Sequence, residues 1–419
     1  MLIPTVALLI AVVIIMAIQS GMIGRFIAEM LAFNRPDQAD ESLPKAAVVL
    51  ALRGSDPFLT ETLKALLRQD YPHFEIHIVL DGPFEEAQAV IESATVQSNA
   101  EKVVVEPLRD KSEQCTLKCS ALRQAVSGLL GQCEVIAFVD SDVVPHRLWL
   151  RDLVRPLADP AVGAATGNRW YLPREANWGS LVRRHWNAGA LVQMWLNGMV
   201  WGGSMALRSD VIEKIDLLSA WSRALSVDCT VSREIRRHGY RVQFVPGAVA
   251  VNTEQIRLAD FLVWVKRQLV AARTSRRNWA VVLLHALLLT GVQLTGVGFA
   301  ITAMVTANPG AAALAVTALL GFWLFNFGAV IVLERAVRRV VRCNGQELRW
   351  PPRPWLGKRF AALLLTLTVY PYVLFRATFC RRVSWRGIEY EVMAPDRIHM
   401  VAYRPLESSS ASDSAASVV

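Results

Sequence analysis

The segment VIAFVDSD at residues 135–142 decides the fold class predicted for this chain. Its five consecutive apolar residues predict a buried strand, and two carboxylates, Asp140 and Asp142, follow with one residue between them. Their side chains point the same way where the backbone is extended. Two hard oxygen ligands suit Mg²⁺ or Mn²⁺ held jointly with substrate phosphates. The alternative is an acidic turn, because Asp is common in turns.

Strand and helix signals alternate around this segment, over residues 44–254. Apolar residues at 46–52 and 74–80 predict two further strands, and helical periodicity follows each of them. This alternation is typical of βαβ units in a parallel sheet, whose ligands bind beyond the carboxyl ends of the strands. Four charged residues stand at such ends: Arg53, Asp81, Asp140 and Asp142. The sequence therefore predicts a ligand site at this edge of a Rossmann-like α/β domain.

The composition indicates that this domain is only part of the molecule. Of the 419 residues, 53% are hydrophobic and 19% are charged, and the mean hydropathy is +0.31. Soluble proteins carry about a quarter charged residues, so a disordered, collagenous or purely soluble protein is excluded. We expect a folded domain at residues 44–256 joined to membrane helices.

Apolar stretches predict where those helices lie. Residues 1–24 predict an N-terminal transmembrane anchor, and residues 279–333 predict a transmembrane hairpin, because about 20 apolar residues cross a bilayer. The amphipathic segment 257–273 predicts an interfacial helix. Arginines flank the stretches on one side, which predicts an N-terminus outside the membrane and a cytoplasmic α/β domain.

A last apolar stretch, residues 359–379, admits two interpretations. Its length favours a further crossing, whereas Pro371, Arg376 and the basic residues at both ends favour a re-entrant or interfacial pair of short helices. The second arrangement keeps residues 380–405 in the cytoplasm. Residues 406–419 are rich in Ser and Ala and are predicted to be disordered.

The distribution of charge argues against a nucleic-acid partner, and the spacing of cysteines and histidines argues against a metal site built from them. The net charge is +9, but residues 257–390 hold 18 Lys and Arg against 4 Asp and Glu, so the basic excess lies beside the apolar stretches. That distribution favours a membrane surface over nucleic acid. Six scattered cysteines do not suggest a secreted disulfide framework, and Cys115 and Cys119 are predicted to pack rather than to bind metal. No histidine has metal-ligand spacing, and His185 is predicted on a basic face near the membrane.

Short motifs follow one another in a specific order along the chain. They are Arg53-Gly54-x-Asp56-Pro57, Gln69-Asp70-Tyr71-Pro72, Asp81-Gly82-Pro83, Lys118, Asp140-Ser141-Asp142, Gly202-Gly203-Ser204-Met205, Asp228 and Gly239-Tyr240-Arg241-Val242. Over about residues 2–390 this order resembles that of membrane-bound family 2-type, ceramide glucosyltransferase-like glycosyltransferases of the GT-A fold. Each motif alone is unspecific, whereas the set and its order are specific.

The resemblance implies roles in binding a UDP-sugar donor. The aspartate matched by Asp81 contacts the nucleotide, and the one matched by Asp140 contacts both UDP and the metal. Asp142 completes the metal site, and Arg53 and Lys118 are expected to bind the nucleotide-sugar donor.

The resemblance also implies a catalytic base. Asp228 matches the aspartate that deprotonates the acceptor hydroxyl in a single inverting displacement. A carboxylate near a helix start is held by backbone dipoles, which suits that role. The alternative is that Asp228 is only the N-cap of its helix.

Two departures concern the acceptor. The usual Glu before the catalytic aspartate is Val227, and the (Q/R)-x-x-R-W motif is replaced by a stretch with Trp264, Arg267 and Gln268. Arg267 is predicted to reach the diphosphate. Gly203 and four further residues are predicted to line the acceptor site or to form a lid. The four are Trp264 and Gln268, together with Trp385 and Arg386 of the W-R-G-x-x-Y tail.

The leading hypothesis is an integral membrane glycosyltransferase that moves a hexose, by family default glucose, from a UDP-sugar to a lipid hydroxyl such as that of ceramide. The membrane would be a bacterial inner membrane or a eukaryotic Golgi- or ER-type membrane. The alternatives are a processive polysaccharide synthase and a degenerate homologue that serves as a membrane scaffold. Three or four membrane helices and the altered motif count against a processive enzyme, and four retained carboxylates count against a scaffold.

Overall fold

The structure is a computed structural model that describes residues 1–35, 42–54, 58–82, 84–96, 103–394 and 396–404. Everything below concerns these residues. Asp56, Pro57 and Pro83 of the sequence motifs lie outside them, as does the predicted disordered tail at 406–419.

The central domain is a seven-stranded sheet with helices on both faces, in the strand order β3-β2-β1-β4-β7-β5-β8. The strands are β1 Ala46–Arg53, β2 Phe74–Asp81, β3 Val103–Pro107, β4 Val135–Val139, β5 Val162–Thr166, β7 Ser204–Arg208 and β8 Arg241–Phe244, with β6 Arg169–Tyr171 paired to β9 Ala250–Asn252. The helices are α2 Leu59–Leu67, α3 Phe84–Val96, α4 Leu117–Leu129, α5 Trp149–Val154, α6 Trp178–Leu196, α7 Ser209–Lys214, α8 Leu217–Trp221 and α9 Val227–Arg237. The predicted α/β class is confirmed.

Strand β1 shows why both faces of the sheet are covered. Its apolar side chains alternate between two cores: Ala47 and Val49 pack in the core that contains α4 and α9, whereas Val48 and Leu50 pack in the core that contains α2 and α3. A strand buried on both faces reads as a continuous apolar run. The hydrophobic run in the sequence thus follows from its central position.

The sheet is mixed, which corrects the expectation of a purely parallel one. Strands β1, β2 and β4 are parallel, but β7 runs antiparallel to both β4 and β5. Strand β7 starts at the edge where β4 ends, because Val139 pairs with Ser204. The turn that precedes β7 therefore lies beside the end of β4, and the backbone N–H of Asp140 donates to the carbonyl of Gly203 at 3.4 Å.

Four helices are long and apolar enough to cross a membrane by length and composition. They are α1 Leu2–Ala32, α11 Arg276–Val305, α12 Pro309–Cys343 and α13 Leu356–Phe379, and α10 Leu258–Arg273 precedes α11. Helices α1 and α12 both extend beyond their predicted ends, and residues 330–341 of α12 pack against α6 and the end of α1. Their apolar periodicity continues into this packed region, so the ends could not be read from hydropathy alone.

Residues 356–379 form one continuous helix that includes Pro371, rather than a pair of short helices. Both of its ends are hydrogen-bonded to neighbouring helices. Near its start, Arg359 donates to Glu334 of α12 at 2.8 Å, and Glu334 is also paired with Arg184 of α6. Near its end, the carbonyl of Ala377 accepts a hydrogen bond from Arg273 of α10 at 2.7 Å. Helix α13 thus lies along α6 and α10.

The segment predicted as a tail forms a three-stranded antiparallel sheet, β10 Arg382–Trp385, β11 Ile388–Ala394 and β12 Arg397–Tyr403. Trp385 pairs with Ile388 across a two-residue turn in which Arg386 and Gly387 both have positive φ. Such turns match the twist of a hairpin, and glycine adopts them without steric cost. Arg53 of β1 donates to the carbonyl of Arg386 at 2.9 Å, so the hairpin turn is held against the carboxyl edge of the main sheet.

Candidate active site

A cavity of about 400 Å³ opens at the carboxyl ends of β1 and β4. Strand ends, the start of α9, helix α10 and the β10–β11 turn surround it. All the predicted site residues except Asp81 line it: Arg53, Lys118, Asp140, Asp142, Gly203, Asp228, Trp264, Arg267, Gln268, Trp385 and Arg386. The fold thus brings together residues that are more than 300 positions apart.

The two carboxylates after β4 are held by separate cationic partners. Lys118 forms an ion pair with Asp140, and Arg169 lies 3.4 Å from Asp142, measured between Nη1 and Oδ2. Burial opposes the charge of Lys118 and of Asp140. The attraction between the two charges outweighs this effect of burial, so the pKa of Lys118 is raised and the pKa of Asp140 is lowered. Asn252 also donates to Asp142 Oδ2 at 3.2 Å.

The donor set fits a divalent cation that takes few ligands from the protein. Within the described ranges no group of three or more His, Cys, Asp or Glu side chains could hold a metal. Two carboxylates facing one cavity remain, and Mg²⁺ characteristically uses one or two carboxylates together with phosphates and water. Asp140 and Asp142 therefore suit a metal that arrives with a phosphorylated ligand.

The backbone at Gly203 passes so close beneath the two carboxylates that a side chain has no room there. A Cβ at this position would lie 2.8 Å from Asp140 Oδ2 and 2.4 Å from the Trp201 ring. The neighbouring Gly202 has more room, since its Cβ would lie no nearer than 3.7 Å to any atom, the closest being on Asp228. Gly203 thus acts through packing under the carboxylates.

Asp228 lies in the first turn of α9, whose N-cap is Ser226. The Ser226 hydroxyl accepts a hydrogen bond from the backbone N–H of Cys229 at 3.2 Å and donates to Asp228 Oδ1. The same carboxylate oxygen accepts from the Cys229 N–H at 2.9 Å. Val227, where the resemblance predicts Glu, is buried and packs in the core. The departure at 227 therefore leaves the carboxylate of Asp228 facing the cavity.

An aromatic and cationic wall was missed in the sequence. The guanidinium of Arg169 lies 5.1 Å from the Tyr171 ring centroid, 5.0 Å from that of Trp201 and 5.7 Å from that of Trp264. Arg183 stacks on Tyr171 at 4.0 Å. Trp264 of α10 was among the predicted residues. The others come from β6, α6 and the loop before β7, and no local motif marks them. Only the tertiary fold could have identified them.

Arg267 completes a group of three arginines that line the cavity with Arg169 and Arg386. Burial, followed by the charges of Arg169 and Arg386, lowers the pKa of Arg267 to about 10. Arg267 therefore stays protonated at neutral pH. Three guanidinium groups around two carboxylates make the cavity suited to a polyanion such as a diphosphate.

Asp81 is placed next to the cavity but does not line it. It is opposite Arg53 in the β1–β2 register and forms an ion pair with it. Its Oδ1 also lies 2.8 Å from Lys111 Nζ and accepts a hydrogen bond from the Tyr403 hydroxyl at 3.0 Å. A nucleotide would have to displace these side chains to reach Asp81, and its role stays a prediction.

A second, mainly apolar cavity of about 260 Å³ lies among α1, α6, α10, α11, α12 and α13. Three residues line both cavities: Asp228, Gln268 and Ala271. His185 lines the second cavity and is buried, not on a basic surface. Burial, followed by the charges of Arg184 and Arg359, lowers its pKa to about 3, so the ring is neutral.

The comparisons with known proteins relate this chain to glycosyltransferases. The probable glycosyltransferase YdaM of Bacillus subtilis (strain 168) is 24% identical over 256 residues, which cover 58% of this chain and 57% of YdaM. The chain thus spans little more than half the length of this curated relative.

Solved structures similar in fold are also glycosyltransferases by name. The mannosyltransferase PcManGT from Pyrobaculum calidifontis, in complex with GDP-Man and Mn²⁺, is 16% identical with a TM-score of 0.44, over 87% of this chain and 99% of that one. Glucosyl-3-phosphoglycerate synthase from Mycobacterium tuberculosis is 17% identical with a TM-score of 0.36, over 57% of this chain and 86% of that one.

The family model "Glycosyl transferase family 21" matches residues 6–398, which is nearly the whole chain. The match includes the mixed sheet, both cavities and most of the C-terminal sheet. It agrees with the GT-A type of α/β domain predicted from the motifs, with long apolar helices on either side. The chain belongs to glycosyl transferase family 21.

Proposed function

We propose that this protein transfers a hexose from a UDP-sugar to the hydroxyl group of a membrane lipid, with inversion at the anomeric carbon. The observation that carries the proposal is the position of Asp228. Its side chain lines both the charged cavity beside the sheet and the apolar cavity among the long helices. A carboxylate at that junction can receive a proton from a lipid hydroxyl while the hydroxyl oxygen faces the sugar.

The charged cavity is the proposed donor site. Arg169, Arg267 and Arg386 would bind the diphosphate, since guanidinium groups match phosphate oxygens in pairs. Mg²⁺ or Mn²⁺ held by Asp140 and Asp142 would neutralise charge on the diphosphate leaving group. The aromatic rings of Tyr171 and Trp201 form an apolar wall against which a sugar can lie.

The apolar cavity is the proposed acceptor site. Its lining is mainly apolar, and half of its residues belong to helices that are long enough to cross a membrane, so an acyl chain can fill it with the hydroxyl at Asp228. The acceptor oxygen then attacks the anomeric carbon, its proton passes to Asp228, and the bond from the anomeric carbon to UDP breaks. One direct displacement inverts the configuration. Glucose and a ceramide-like lipid are the proposed donor sugar and acceptor.

We further propose that the catalytic domain and the C-terminal sheet face the cytoplasm. Helix α13 is about 36 Å long and could cross a bilayer of about 30 Å. Its two ends nevertheless bond to Arg273 and Glu334, which lie on the same side as the catalytic domain. These contacts support an arrangement with both ends of α13 on the side of the catalytic domain and a crossing by α1, α11 and α12 only.

Two alternatives make different demands on the same site. A processive polysaccharide synthase needs a polar channel for its growing chain, whereas the cavity that meets Asp228 is mainly apolar. A scaffold has no need for two carboxylates that are held by cationic partners beside a cavity suited to a polyanion. Both observations support single transfer to a lipid.

Product identification tests the proposal. The purified full-length protein in detergent is incubated with a panel of UDP-sugars and extracted membrane lipids, and UDP release is measured. We expect UDP release that depends on lipid, and a glycosylated lipid that mass spectrometry can identify. UDP release coupled to a polymer would favour the synthase, and absence of transfer from every donor would favour the scaffold.

A further inference from the structure

Asn278 is a buried polar residue that the proposed chemistry does not use. It lies in the first turn of α11, where its backbone N–H donates to the capping hydroxyl of Ser275. Its side chain lines the apolar cavity and is 3% exposed. Neither amide atom is hydrogen-bonded to a nitrogen or oxygen of the described residues. Buried side-chain amides are nearly always paired, because leaving them unpaired costs free energy.

The position of this amide relates it to the reacting hydroxyl. Its neighbour is the thiol of Cys229, which interacts with the Asn278 side chain and follows Asp228 directly in the chain. Asp228, Cys229 and Asn278 all line the apolar cavity. An acceptor whose hydroxyl reaches Asp228 therefore places its next few atoms beside Asn278.

We infer that Asn278 selects the acceptor by hydrogen-bonding a second neutral polar group close to the reacting hydroxyl. An amide side chain offers both N–H donors and a carbonyl acceptor. The complementary group is one that also donates and accepts, which means a secondary amide or a second hydroxyl. This inference rests on the proposed function and assigns recognition of the acceptor's second polar group to Asn278.

A neighbouring asparagine provides a matched control. Asn326 of α12 lines the same cavity, but its Nδ2 already donates to the carbonyl of Phe322 at 2.8 Å, within its own helix. Replacing either residue by Leu exchanges an amide for an apolar group of similar volume on the same cavity wall. Only the change at 278 removes an amide that has no nitrogen or oxygen partner among the described residues.

The experiment compares three acceptors of equal chain length with the full-length protein in detergent. They are an N-acyl amino alcohol, a monoacylglycerol and a simple fatty alcohol. Because one neutral hydrogen bond contributes modestly, we expect wild-type KM values for at least one of the first two to be about 5- to 10-fold below that of the fatty alcohol. The lipid with the lowest KM distinguishes amide from diol.

The variants then assign that preference. Asn278→Leu should raise the KM of the preferred acceptor to that of the fatty alcohol, with kcat, the KM of the UDP-sugar and the fatty-alcohol KM unchanged. Asn326→Leu should change none of them. A structural role of Asn278 would impair all three acceptors alike, and that result would overturn the inference.

The wild-type comparison decides the matter even if Asn278→Leu does not fold. Equal KM values for the three acceptors contradict the inference while the proposed lipid glycosylation stands. Absence of transfer to any lipid contradicts the proposed function itself, and the inference with it.

Discussion

Ser226, not Asp228, caps helix α9, and the two side chains are hydrogen-bonded to each other. The Ser226 hydroxyl satisfies the N–H of Cys229 and donates its proton to the Asp228 carboxylate. The interpretation of Asp228 as the helix cap is therefore weakened. Its carboxylate is oriented by the cap and faces both cavities.

Asp228→Asn should abolish transfer and leave UDP-sugar binding nearly intact. The amide is almost isosteric but cannot take the proton of the acceptor, and loss of a general base typically costs about 10²- to 10⁴-fold in rate. Turnover and donor affinity are measured on the purified variant, with its melting temperature as a check on folding.

Ser226→Ala is the matched control for that variant. It removes the cap, at a cost of about 1 kcal/mol in the free energy of unfolding, but leaves the carboxylate. We expect a lower melting temperature with substantial transfer. Near-normal transfer by Asp228→Asn would mean that the base is another residue of the cavity.

Much of this site could be predicted because its residues end strands or start helices. Asp140 and Asp142 follow a buried strand, and the carboxyl ends of neighbouring strands meet at one edge. Placing the β10–β11 turn at the same edge required the motif resemblance, and the structure brings Trp385 and Arg386 there.

The other parts of the site could not be predicted, because they depend on packing between segments that are far apart in the sequence. Arg169 and Arg183 lie on elements without any motif, and stacking on Tyr171 defines their positions. The orientation of α13 was ambiguous because hydropathy records apolar length and not contacts with Glu334 or Arg273. The apolar cavity itself is lined by helices from α1 to α13, so no single segment indicates it.

Gly203→Ala should weaken UDP binding by at least about 10-fold and lower the melting temperature, because overpacking a close contact costs about 1–3 kcal/mol. The added methyl group would push on Asp140 Oδ2 and on the Trp201 ring. Gly202→Ala, with ordinary contacts only, should bind UDP normally. Isothermal titration with UDP and Mn²⁺ measures both, and equal affinities would show that Gly203 is not needed for the approach.

Metal binding should depend on the nucleotide. Two protein carboxylates alone hold Mn²⁺ weakly, and the phosphates complete the coordination. We expect UDP to tighten Mn²⁺ binding, as followed by electron paramagnetic resonance, and Asp142→Asn to remove most of that effect. Transfer should stop in excess EDTA and return on addition of Mg²⁺ or Mn²⁺. Full activity in EDTA would contradict a metal-assisted reaction.

The last prediction concerns the side of the membrane on which the C-terminal sheet lies. Single cysteines are introduced at Asn308, in the α11–α12 link, at Met393 of β11 and at Ser219 of α8. The background has serine at Cys343 and Cys380, since the other four native cysteines are buried. The sheet packs against the catalytic domain through Arg53, so positions 393 and 219 should behave alike. A membrane-impermeant maleimide should label position 308 in intact cells, and positions 393 and 219 only after permeabilisation. Labelling of 393 together with 308 would mean that α13 crosses the membrane, whereas labelling of 393 and 219 without 308 would invert the proposed orientation of the whole protein.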